Sequence, residues 1–181
     1  MINIRTQRGA MFGLDARIAL AIFGGLSIIT GAALFSAISQ TTTTALVTEL
    51  DNIGKGYTNY VLDTGVDTTD IADLKSDTVA GWQGPYIALQ DATDHPKYGT
   101  LAIARFSDAT WTDGVGVASS GTNDWVWISL TGVDYALADK MDQAVDGTAA
   151  GAENGDIGTI RYDDTVASGN VTLFYKVSTA Q

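Results

Sequence analysis

The sequence predicts an α+β chain in which one long N-terminal helix lies against an antiparallel sheet of four or five strands. Three observations carry this expectation. Residues 18–48 contain no charged side chain, a run longer than the roughly 20 residues that cross a hydrocarbon core. Overlapping its end, Leu46, Leu50, Ile53, Tyr57 and Tyr60 recur at intervals of three and four, which gathers apolar side chains onto one helix face. Further on, short segments rich in β-branched and aromatic residues are separated by glycine- and aspartate-containing turns, as in an antiparallel sheet.

Taken in order, the first element is a helix of about 45 residues, apolar all round in its first, membrane-spanning half and amphipathic in its second. Gly24-Gly25 lies inside the apolar run and lacks a lysine. It therefore reads as a loosened stretch of helix, costing about 1 kcal/mol per Gly relative to Ala, rather than a phosphate loop. Residues 66–76, rich in Asp and Thr, predict a loop with one helical turn at 71–74. In Gly81-Trp82-Gln83-Gly84-Pro85-Tyr86-Ile87, glycines flanking Trp and Pro predict a turn that seats an aromatic against the core. Strands are expected at 100–106, 114–118, 125–130, 158–162 and 171–177. A helix is expected at 134–145, where Leu137, Met141 and Val145 share one face.

At 181 residues, 45% hydrophobic and 17% charged, the chain is long enough for one domain with a real core and is neither disordered nor of low complexity. It has no cysteine, which excludes disulfides, thiolate-bound zinc, iron–sulfur clusters and c-type haem. His95 is the single histidine, so multi-histidine metal sites lack ligands. The serines sit in no nucleophile elbow, which leaves His95, beside Pro96, as a loop residue rather than a triad member. Paired acids such as Asp163-Asp164, or Asp91 and Asp94, fit an acidic solvated surface better than an acid–base pair. No enzymatic activity and no resident cofactor are expected. A net charge of −11 argues against nucleic acid as a partner. One loop has the ingredients of a hard-cation site: Asp146, Glu153 and Asp156 stand among glycines, and calcium takes such oxygen ligands. The spacing is not that of an EF-hand, and a flexible acidic loop is the alternative.

The charges divide the chain. Arg5, Arg8 and Arg17 cluster near the start, and every acid except Asp15 lies beyond the uncharged run. The run exceeds the roughly 7–15 apolar residues of a secretory signal peptide and continues without a break into the amphipathic segment. A plain membrane anchor explains its length but not what precedes it. There, Arg8-Gly9-Ala10-Met11-Phe12-Gly13-Leu14-Asp15 resembles the processing site of type IV prepilins and type II secretion pseudopilins. That site has a short basic leader, a small residue before the cut, a hydrophobic new N-terminus and an acid at the fifth mature position. Cleavage after Gly9 keeps the family's glycine but places Asp15 sixth. Cleavage after Ala10 makes Met11 first and Asp15 fifth, and is the expected cut because the acid's position has a mechanical role. A carboxylate on an apolar helix costs about 2.5–3.5 kcal/mol at mid-bilayer and rarely lacks a partner, and near a helix N-terminus it is favoured by the macrodipole.

The resemblance extends further. Gly81-Trp82-Gln83-Gly84-Pro85-Tyr86 is similar to the stretch after the long helix of major pseudopilins. The run from Leu137 to Gly147, followed by Asp156 to Tyr162, resembles the late helix, acidic loop and closing strand of pilins; major pseudopilins hold calcium in a late loop. The implied organisation is a leader over 1–10, a hydrophobic membrane and filament-core helix over 11–44, and an acidic pilin-like globular domain over 45–181. The implied function is structural. A prepilin peptidase trims and methylates the chain, inner-membrane machinery extracts it from the membrane, and it polymerises with itself into a helical filament, the Met11 amine of one subunit meeting Asp15 of another. Its location would be the inner membrane of a prokaryote, then an extracellular or periplasmic filament. Both a pilus with a role in adhesion and a secretion pseudopilus fit. A reading of another class is a membrane-anchored extracytoplasmic binding module.

Overall fold

The computed structural model describes residues 7–91, 93–112, 114–118, 124–147, 155–163, 165–166 and 168–180. Its elements are α1 (Gln7–Thr64), a 3-10 turn (Ile71–Leu74), β1 (Leu101–Thr112), β2 (Val115–Ala118), β3 (Asp124–Asp134), α2 (Tyr135–Val145), β4 (Ile160–Arg161) and β5 (Asn170–Thr179). The chain forms two compact units, Met1–Thr42 and Thr43–Gln181.

In the first unit α1 is long and apolar enough to cross a membrane. Leu20, Phe23, Ile28 and Phe35 are all exposed by 70% or more of their surface. The helix carries threonines whose hydroxyls are satisfied by its own backbone. Thr41 and Thr42 donate to the carbonyls of Ala37 and Ile38 at 2.9 and 3.0 Å, and Thr30 donates to Leu26 in the same way, the back-bonding open to a helical threonine. At 58 residues α1 is longer than predicted. It is already helical at Gln7, the first described residue, because the arginines and Asp15 that mark the edge of the apolar run are no barrier to helix.

In the second unit the predicted stripe is the core. Leu46, Leu50, Ile53, Tyr57 and Tyr60 are each at most 3% exposed. They meet a five-stranded antiparallel sheet of order β2-β1-β3-β5-β4, so the α+β class predicted from sequence, a long helix packed on an antiparallel sheet, is the observed one. The register pairs Ile103 with Ile128 and Leu101 with Leu130, and Leu130 in turn with Leu173. The two-residue period puts these on one face, and that face joins the α1 stripe. Two glycines permit the close approach. A Cβ on Gly54 would stand 3.3 Å from Val177, and one on Gly56 would stand 2.8 Å from the carbonyl oxygen of Tyr86.

The strands depart from expectation at their ends. β3 runs on to Asp134 through a bulge between Leu130 and Val133, where Gly132 takes a φ of +75°; Val133 beyond it is fully buried. A bulge hides such a continuation from a strict alternation rule. Asp134 then caps α2, accepting the Ala136 N–H at 3.0 Å. β4 is shorter than predicted: before it the Thr159 N–H turns to the Asp146 carboxylate, and after it the Tyr162 N–H turns to the Gly155 carbonyl.

The 66–77 loop is strapped to α1 by carboxylates. Tyr60 donates to Asp77 at 2.6 Å, Tyr57 donates to Asp67, and Arg105 of β1 pairs with Asp67 at 2.5 Å. Next to them Tyr86 stands edge-on to both Tyr60 and Trp82 at 5.9 Å. The Trp82 ring nitrogen donates to the Asp73 carbonyl at 3.1 Å, so the predicted aromatic seat exists and lies half-buried. Burial, and then the bond to an aspartate, push the Tyr57 and Tyr60 phenols well above their ordinary pKa of 10.0. The Tyr60 bond also holds Asp77 below its ordinary range.

Two outcomes follow. Leu50→Ala removes a fully buried side chain and lowers unfolding free energy by about 2–5 kcal/mol, whereas Leu26→Ala, at an exposed position, leaves it unchanged; chemical denaturation in one detergent compares them. On the alkaline side, the raised phenol pKa values stabilise the fold fully below pH 10.0, and that contribution is lost as pH rises through the folded values. Melting temperature should therefore fall above pH 10.0, and Tyr60→Phe should weaken that fall.

Candidate functional site

The residues of the expected processing site lie in the first turns of α1. The helix starts at Gln7, Gly9, Ala10 and Met11 are helical, and Asp15 follows Met11 by one turn. The uncut helix has no acid in its first turn. A cut between Ala10 and Met11 moves the start of the helix to Met11 and brings Asp15 to the end of the new first turn, where the macrodipole favours a negative charge. Asp15 is exposed, is flanked by the exposed apolar side chains Leu14 and Ile18, and forms no ion pair among the described residues.

Of the expected calcium ligands, Glu153 lies outside the described residues. Asp146 is the C-cap of α2. Its two oxygens accept the Thr159 N–H at 2.9 and 2.8 Å, and Oδ2 also accepts that of Ile160 at 2.8 Å. A Cβ on Gly158, whose φ is +96°, would meet the same carboxylate at 2.6 Å. Asp156 accepts the Gly114 N–H at 2.8 Å. These two acids are thus held by different backbone partners, and both act on the Arg161 charge. Among the described residues no three His, Cys, Asp or Glu side chains gather as a metal site.

Two groupings escape sequence reasoning. His95 sits in a loop but is buried, only 9% exposed. Its Nδ1 accepts the N–H groups of Lys97 and Tyr98 at 3.1 and 3.2 Å, which leaves the proton on Nε2, 3.2 Å from Glu49 Oε2. The histidine therefore ties the turn at 95–98 to α1, through a partner 46 residues away.

The second grouping covers the sheet face turned away from α1. Asp108 of β1 accepts from Arg161 of β4 at 2.5 Å and from Lys176 of β5 at 2.6 Å. Arg161 is wedged between Trp111 and Trp127, 4.9 and 4.7 Å from their rings, while Lys176 lies 3.8 Å over Trp125. Phe106 and Phe174 close the cluster edge-on. Burial pulls the Arg161 pKa down against the opposing charge of Asp108. Only alternation in 125–130 hinted at this layer, since it places Trp125 and Trp127 on the face opposite Val126 and Ile128; the cations arrive from strands remote in sequence.

No family model matches the chain, and neither does any curated protein or solved structure. The architecture itself, a long apolar N-terminal helix packed on an antiparallel sheet, is pilin-like. Asp108→Asn should lower stability by about 3 kcal/mol, the low end for breaking a buried ion pair, because the Asp108 side chain is 39% exposed while Arg161 is nearly sealed. Denaturation followed by tryptophan fluorescence measures it.

Proposed function

We propose that the chain is the structural subunit of a type IV pilus-like filament, trimmed by a prepilin peptidase between Ala10 and Met11 and polymerised through α1. The observation that carries this reading is the exposed apolar surface of α1 from Ile18 to Ile38, preceded by Asp15 and a basic leader. Such a surface needs lipid or other apolar helices around it. In this reading it is held first by the inner membrane and then, after extraction by assembly machinery there, by copies of itself in a filament outside that membrane.

Asp15 supplies the register. At the membrane edge its carboxylate is hydrated; in a packed core it loses that water and needs a cation or a proton. The cation is the Met11 amine of an adjacent subunit, which exists only after cleavage. A buried pair of this kind adds little net stability, but leaving one member alone costs roughly 3–5 kcal/mol. Apolar helices that would otherwise slide past one another thus acquire a fixed stagger.

A secretion pseudopilus is the second reading, favoured by the Trp82–Tyr86 seat at the end of α1. A membrane-anchored binding module would use the same helix without processing. Intact mass separates these classes. A filament subunit begins at Met11, or at Ala10 for the alternative cut, whereas an anchored module retains Met1. Asp15→Ala should leave expression, membrane insertion and the fold of residues 43–181 unchanged while filaments fail or lose their symmetry; Asp15→Glu should assemble. Normal filaments from Asp15→Ala, seen by electron microscopy, would refute the pairing.

A further inference from the structure

The chain is strongly acidic, with ten basic and twenty-one acidic side chains, and its cations are largely consumed inside one copy. Arg105 pairs with Asp67, Arg161 and Lys176 share Asp108, and Lys55 pairs with Asp51. Lys75 donates to the Gln90 carbonyl, and Lys97 lies 5.3 Å from the Tyr98 ring centroid. The proposed cut removes Arg5 and Arg8 but no acid, which makes the mature chain more negative still.

Several acids carry a charge that their structural role does not need. Asp70 and Asp134 each accept one N–H as a cap, at 2.9 and 3.0 Å. Asp91 and Asp163 each use one oxygen to accept the N–H and hydroxyl of the threonine two residues on. Asparagine serves equally at such caps and turns. The first three of these aspartates are exposed and the fourth half-buried. Their negative charge is therefore available to act between molecules.

We propose that this surplus surface charge makes polymerisation conditional on ionic strength, so that copies repel at low salt and associate when mobile cations screen them. The inference rests on the filament reading. Like charge keeps proteins apart in solution. Screening shortens its reach from roughly 30 Å at 0.01 M salt, enough to span neighbouring subunits, to roughly 8 Å at 0.15 M. With so few basic groups left to face a neighbour, inorganic cations in the medium must supply the compensation.

The test uses the processed full chain, with detergent removed into a series of sodium chloride concentrations. Sedimentation measures polymer, and circular dichroism monitors the fold in each sample. The sedimenting fraction should rise steeply with salt while the spectrum stays constant. The combined variant Asp70→Asn, Asp91→Asn, Asp134→Asn and Asp163→Asn should reach half-assembly at a salt concentration about twofold lower. Sedimentation that is flat or falls with salt, or an unmoved midpoint in the variant, overturns the inference and leaves the filament reading standing. Folded chain that never sediments at any salt overturns the filament reading and this inference with it. Loss of the spectrum at low salt overturns the inference by showing that the repulsion acts within one copy.

Discussion

The apolar stripe of α1 from Leu46 to Tyr60 is covered by the protein's own sheet, and the apolar surface from Leu14 to Ile38 is not. At roughly 25 cal/mol for each Å² of apolar surface removed from water, burying the stripe together with the sheet face it meets stabilises the acidic unit. The same coefficient makes the uncovered half untenable in water. A single helix therefore has two fates, set by which residues occupy its faces. Where apolar positions form one stripe, one sheet suffices. Where they surround the axis, the surroundings must be apolar on every side.

The covered half places demands on the rest of the unit. Gly54 and Gly56 let Val177 and the Tyr86 carbonyl close on the helix. The loop after α1 is tied back to it by the tyrosine–aspartate bonds of Tyr57 and Tyr60, and His95 ties in a second turn through Glu49. On the opposite sheet face Trp127 is fully buried. Its cover is built from Trp111, Arg161 and Phe106. A sheet with a helix on one side thus has packed side chains on both, and in the second layer the indole faces attract the Arg161 and Lys176 cations.

Periodicity made the helix stripe legible, and all five residues chosen by spacing are buried. The 3-10 turn at Ile71–Leu74, helix α2 and the strand centres were legible for the same reason: local pattern and burial agree there. Element ends were not. The extension of α1 back through Arg17, Asp15 and Arg8 was obscured by charges that helices tolerate, and the tail of β3 by a bulge at Gly132. The partners of His95, Asp108 and Asp146 lie 46, 53 or 68, and 13 or 14 residues away, so spacing along the chain carries no signal for them. At the N-terminus the reverse holds: Gly9, Ala10, Met11 and Asp15 were singled out by a resemblance in sequence, and Asp15 is exposed on α1 without an ion pair among the described residues.

The central claim is that α1 is covered to different extents along its length, with residues 43–181 self-sufficient and the apolar half exposed. Thermal melting of a fragment spanning residues 43–181, with its mass in solution determined alongside, tests this most directly. The account predicts a soluble monomer that unfolds cooperatively at the temperature of the same unit in the full chain. A fragment that is unfolded, or that aggregates through newly bared surface, would contradict it, because the first half of the helix would then be needed by the fold of residues 43–181.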